Sequence, residues 1–220
     1  MKKIVLVLLG LMLIVYPLCA VEPMIAAGSN FSVALGSDGI IYAWGTNRFG
    51  QLGDGSTQRT NDPIEVDTSG ALSGKTITAI AAGYHHTVAL DLDGKLYAWG
   101  SNDHDKLGGG FADFHVSPIE VKTYGDLNGK IITAIAAGYH HTVALDSDGK
   151  LYAWGNNDYG QLGDGGHGDD RDVPTEVNTS GVLSGKTITA IAAGYAHTVA
   201  LDSDGKLYAW GGNEYGRLRR

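Results

Sequence analysis

Residues Ile80 to Gly100 read IAAGYHHTVALDLDGKLYAWG, and the stretch returns at Ile135 to Gly155, at Ile191 to Gly211 and, more loosely, at Ile25 to Gly45. Its tryptophan fixes the register, because Trp44, Trp99, Trp154 and Trp210 stand 55, 55 and 56 residues apart. A fixed period of this length marks units that bury their apolar faces against like neighbours. The chain divides accordingly into a leader (1–20), three full copies (24–75, 76–130 and 131–186) and an incomplete fourth (187–220).

In the second copy, apolar runs between turn signals predict four strands: Thr76 to Ala82, Thr87 to Asp91, Lys95 to Trp99 and Pro118 to Val121. Asp93-Gly94 predicts a two-residue hairpin of type I′, with positive φ at both positions. The dipeptide recurs at Asp38-Gly39, Asp148-Gly149 and Asp204-Gly205. These strands do not alternate apolar with polar. Ile77, Ala79 and Ala81 point one way and Thr78, Ile80 and Ala82 the other, while Leu96 and Ala98 oppose Tyr97 and Trp99. A repeated antiparallel sheet that is apolar on both faces is satisfied by stacking like sheets around an axis, with the small Ala-Ala-Gly residues innermost. The fold class is therefore all-β: a partial β-propeller of four-stranded antiparallel blades, three blades plus three strands of a fourth. A parallel β-helix is the alternative, but its coils are much shorter than this period.

The 33 glycines and only four phenylalanines in 220 residues fit a turn-rich β protein. The leader has Lys2 and Lys3 as a positive region, an apolar run from Ile4 to Val15, and a break at Tyr16-Pro17-Leu18-Cys19-Ala20. That order describes a secretory signal cleaved before Val21. An uncleaved membrane anchor is the alternative, since Leu18 occupies a site where small residues are usual. Cys19 is the one cysteine, so the mature chain is expected to hold no disulfide and no thiolate. Losing Lys2 and Lys3 takes the net charge from −8 to −10, which argues against nucleic-acid binding through phosphates.

Gly138 to Leu145 (GYHHTVAL) followed by Asp148 to Gly165 (DGKLYAWGNNDYGQLGDG) resembles the regulator of chromosome condensation repeat, and the resemblance extends over nearly all of residues 24 to 218. It implies a seven-bladed propeller, roughly 385 residues at this period. The fourth copy stops at Gly216-Arg217-Leu218-Arg219-Arg220, where Gln-Leu-Gly-Asp-Gly is expected. The expectation is an open ring, from a truncated product or one completed by another chain, with bare edges and apolar faces that favour self-association.

Candidate chemistry is weighed against this repetition. His86, His141 and His197 share one position with Phe31, so they read as structural residues bonding neighbouring backbone rather than as a metal ring. Asp91-x-Asp93-Gly94 and its copies read as turns rather than calcium loops. Ser73-Gly74-Lys75-Thr76 and Ser184-Gly185-Lys186-Thr187 lack the first glycine of a phosphate loop, with Ser69 and Ser180 in its place. No Ser-His-Asp or Cys-His set is legible, and no catalytic, cofactor or metal residue is assigned.

A single site should break the repetition, so the informative residues differ between copies: Arg48, Phe49 and 58–61; 103–106 and 111–115; 167–172. Strand direction places these loops on one face with the turns at Tyr84-His85 and Tyr139-His140. The candidate partner-binding residues are Tyr84, His85, Asp103, His104, Phe111, Phe114, His115, Tyr139, His140, His167 and Arg171. The expected function is an exported (secreted, periplasmic or surface) protein-binding or scaffold module, not an enzyme, with an unknown protein partner, no cofactor and no nucleic acid. The alternative, implied by the namesake of the repeat, is nucleotide exchange on a GTPase, or an enzyme built on a propeller.

Overall fold

The computed structural model describes residues 5–9, 12–16, 21–109 and 112–218. Val5–Leu9 (β1) and Met12–Tyr16 (β2) pair antiparallel. Lys2, Lys3, Cys19 and Ala20 of the predicted signal lie outside the described residues, as does Phe111. No helix among the described residues is long and apolar enough to cross a membrane.

Four antiparallel sheets follow. Met24–Ala27 (β3), Phe31–Leu35 (β4), Ile41–Gly45 (β5) and Thr60–Glu65 (β6) form blade 1; Ile77–Ala82 (β7), His86–Asp91 (β8), Leu96–Ser101 (β9) and Phe114–Glu120 (β10) form blade 2. Ile132–Ala137 (β11), His141–Asp146 (β12), Leu151–Gly155 (β13) and Arg171–Glu176 (β14) form blade 3, and Ile188–Ala193 (β15), His197–Asp202 (β16) and Leu207–Gly211 (β17) form blade 4. Each first strand packs on the first strand of the next blade, and the four sheets do not close. This is a partial propeller.

Three apolar layers hold the blades together, each built from the outer side of one blade and the inner side of the next. Leu90, Leu96 and Leu107 of blade 2, for example, meet Ile132, Tyr152 and Trp154 of blade 3. Polar bonds add to the layers. The carbonyl of Gln51 accepts from the Thr87 hydroxyl at 2.8 Å and from the Trp99 indole at 3.0 Å, and Gln161 does the same for Thr198 and Trp210. The Lys106 carbonyl accepts from Thr142 at 2.8 Å. Every one of these bonds runs from a blade to the loop of the blade before it.

Three expectations need correction. The Asp-Gly turns are not of type I′, because Asp93 lacks positive φ while Gly94 has φ 79°. Gly94 N–H donates to Asp91 O and Asp91 N–H to Lys95 O, a three-residue loop with a glycine bulge. The Asp91 carboxylate selects it, accepting from the Asp93 and Lys95 amides and from the Tyr97 hydroxyl. Asp146 and Asp202 repeat the device.

The repeated histidines bond the following blade rather than neighbouring backbone. His86 Nε2 lies 3.2 Å from Thr142 Oγ1, and His141 Nε2 3.1 Å from Thr198 Oγ1. Each threonine already gives its proton to a carbonyl, so it accepts and the histidine donates from Nε2. A side chain at Gly83 would collide with the His86 ring, so only glycine fits there. Finally, the fourth strands start early. Phe114 and His115 pair with Ser101 and Gly100 ahead of a bulge, and Arg171 pairs with Gly155, so these three candidate loop residues belong to strands.

Candidate protein-binding face

The turns after β7, β11 and β15 place Tyr84, Tyr139 and Tyr195 around the mouth of an axial cavity of about 370 Å³ floored by the Ala-Gly steps of the innermost strands. The rings form a ladder. Tyr84 stacks on Tyr139 with centroids 3.7 Å apart, and Tyr139 meets Tyr195 at 4.2 Å. His85 lies against Tyr84 at 3.9 Å and Phe49 against His85 at 5.0 Å, which carries the band into the loop of blade 1. His140 packs edge-on to Tyr139 at 4.4 Å, with His104 at 4.9 Å beyond it. Aromatic surface is therefore continuous across four blades, with large area and few torsions to freeze on contact.

Electrostatics hold His85, His140 and Tyr139 of the band in their neutral forms at neutral pH. Burial, then the Lys106 ammonium, pushes His85 down and holds His140 at about 4. Burial and the neighbouring Tyr84 push Tyr139 up to about 12. Carboxylates sit at the rim. His104 Nδ1 lies 2.7 Å from Asp170 Oδ2, bridging the loops of blades 2 and 3. Burial alone would raise Asp103, but the Lys106 ammonium and the Ser101 hydroxyl hold its carboxyl below the usual range.

The structure brings together Tyr84, His85, His104, Tyr139 and His140, with Asp103 at their edge. It does not bring the others to them. Phe114 is 41% exposed at the start of β10, and His115 beside it is partly buried, with its Nε2 buried and unbonded. His167 is exposed in the loop of blade 3, and Arg171 is committed to Asp164 at 2.6 Å. Among the described residues, no group of three or more His, Cys, Asp or Glu side chains is arranged to hold a metal ion.

Phe49, Lys106 and Asp170 lie in the stretches that differ between copies, but sequence reasoning left them out of the candidate partner-binding residues. The Lys106 side chain is fully buried beneath the band, with Nζ 2.9 Å from Ser101 Oγ and 3.1 Å from the Asp103 carbonyl. Burial, countered by Asp103, draws its ammonium down to about 8. The available signal was the tetrapeptide Asp-Lys-Leu-Gly standing where Gly-Gln-Leu-Gly stands in copies 1 and 3.

Comparison with known proteins places this geometry. Residues 19–219 match the profile of the RCC1-like domain. The chain is 38% identical over 196 residues to the ultraviolet-B receptor UVR8 of Arabidopsis thaliana, a match that covers 88% of this chain and 42% of that protein. Human WBSCR16 shares the fold at a TM-score of 0.80 and 23% identity, over 95% of this chain and 52% of that one. Yeast RCC1 (Prp20), solved bound to Kap60, is similar at a TM-score of 0.71 and 27% identity, over 87% of this chain and 44% of that one. The chain thus spans about half the length of each of these three proteins.

Proposed function

We propose, from the premise that this chain belongs to the RCC1-like domain family, that it is an exported module that grips a basic partner protein with the loop face of blades 1 to 4. Propellers of this family are protein-binding or GTPase-regulating modules, mostly without enzymatic activity of their own. The observation that carries the binding reading is the unbroken aromatic band, which meets carboxylates at its rim. Asp103, Asp158, Asp169, Asp170 and Asp172 line the loops of blades 2 and 3, where Lys106 is buried and Arg171 is held by Asp164, while the exposed Arg48 lies over Phe49 at the blade 1 end. Such a rim attracts a cationic surface, and the attraction weakens as salt screens it.

Residues 21–220 immobilised for capture test the reading. Ser29 occupies the position of Tyr84 and Tyr139 in the first copy, so Tyr84→Ser with Tyr139→Ser is a substitution the repeat already accepts. The double variant should keep its thermal midpoint and lose the captured partner, and the wild-type capture should fall with added salt. Partner retained by the double variant would overturn the reading. Export rests on the leader alone: exported material should begin near Val21, and N-terminal sequencing that found Met1 would support the anchor instead. Self-association through the open blade faces is a further expectation, read by light scattering on the same 21–220 chain.

A further inference from the structure

We infer that Lys106 is a positioning residue, which turns over the peptide between Asp103 and His104 and so fixes His104 on Asp170. In copies 1 and 3 a glutamine fills this position, and its side-chain oxygen accepts an inward-pointing amide. Gln51 Oε1 takes the Phe49 N–H at 3.0 Å, and Gln161 Oε1 the Tyr159 N–H at 2.9 Å. Lysine has three donors and no acceptor. The equivalent peptide in copy 2 therefore presents its other side, and the Asp103 carbonyl points in to accept from Lys106 Nζ at 3.1 Å.

A turned peptide must appear in the backbone, and it does. Among the described residues, His104 (φ 62°) and Asp105 (φ 58°) are the non-glycine positions with positive φ. Asp105 merely replaces Gly50 and Gly160, which already have φ 76° and 75°. The change at His104 is new, because Phe49 and Tyr159 at the same position keep negative φ. A second, independent sign lies across the blade junction. Trp99 and Trp210 donate to the carbonyls of Gln51 and Gln161, but the buried Trp154 indole, whose counterpart acceptor is Lys106 O, has no partner. The lysine thus alters both sides of its loop. It leaves Trp154 unbonded below, and above it aims His104 at Asp170, whose other oxygen accepts from the Asn157 amide.

Freeing His104 from Asp170 in Lys106→Gln should weaken partner capture, a consequence that rests on the binding reading above, whereas the peptide orientation does not. Lys106→Gln restores the residue found in both neighbouring copies and should return the peptide to their orientation. NMR of the 21–220 chain should show negative φ at His104, and exchange of the Trp154 indole proton slowed roughly tenfold by one regained hydrogen bond. Lys106→Met removes the donors without supplying an acceptor and should leave the indole exchange fast. His104→Ala and Asp170→Asn should couple in the wild type through the 2.7 Å contact and should no longer do so in the Lys106→Gln background. Positive φ retained at His104 in Lys106→Gln would overturn the positioning role. A turned peptide with capture unchanged would instead overturn its consequence for binding, a result separable from the outcome of the tyrosine double variant.

Discussion

Blades 2, 3 and 4 share the strands ITAIAA, HTVALD and LYAWG letter for letter, yet only blades 2 and 3 bury the second and third of these throughout. In β8, β9, β12 and β13 every residue is buried, whereas β16 alternates buried with half-buried residues and Tyr208 is the buried residue of β17. Leu96 and Leu151 are 1% and 0% exposed and the equivalent Leu207 is 69% exposed, while Tyr208, on the side facing blade 3, stays at 6%. Identical local sequence has given a two-sided sheet in one place and a one-sided sheet in another. What differs is the neighbour, so the stability of a blade in this protein belongs largely to its junctions.

The sharpest way to break that comparison is at the tryptophans. Trp99→Ala should cost about 3–5 kcal/mol, because it empties a fully enclosed site and removes the bond to Gln51, and Trp210→Ala should cost well under that. Equal shifts in denaturant midpoint would mean that the junctions are not what stabilises the blades. Leucine gives a cleaner contrast. Leu96→Ala should cost about 2–5 kcal/mol as a core truncation, whereas Leu207→Ala should fall within about 0.5 kcal/mol of wild type as a surface change.

Acid probes the junctions from their histidines. Burial holds His86 well below its ordinary value and His141 at about 3, whereas both protonate near 6.5 in the unfolded chain. The unfolded state therefore binds more protons between those limits. Stability is fully present above about pH 6.5 and declines as pH falls toward 3, by an amount on the order of a few kcal/mol at pH 4. Thermal midpoints across that range check the direction. A smaller effect than the acid shift is expected of His86→Phe, for which Phe31 is the precedent within the chain. It should cost about 1 kcal/mol through the lost bond to Thr142 and should reduce the acid sensitivity, because one buried imidazole is gone. An unchanged pH dependence would remove His86 from the account.

The blade, its strand order and the side of the sheet on which each loop emerges could be read in advance, because apolar residues on both faces and Asp-Gly punctuation are local properties. The turn type could not. It is decided by a carboxylate two residues before the dipeptide, and the Asp91 side chain competes with the type I′ geometry that Asp93-Gly94 favours in isolation. The latches were equally hidden, since Thr87 and Gln51 are 36 residues apart and meet only after the blades stack. Of the candidate face, the turn aromatics were legible from their place in the repeat. The role of Lys106 was not, because its effect is the orientation of one peptide plane and not a contact that residue types announce.

The direction of the latches bears on synthesis. Thr87, Thr142 and Thr198 each hold a loop carbonyl of the blade before. These three bonds tie a loop to the blade that follows it. As the chain leaves the ribosome N-terminus first, the latch from a loop to the next blade cannot form until the second strand of that blade has emerged. The recognition surface then matures one repeat behind the growing end, and a nascent chain would expose its aromatic band in instalments, each secured by the blade that follows.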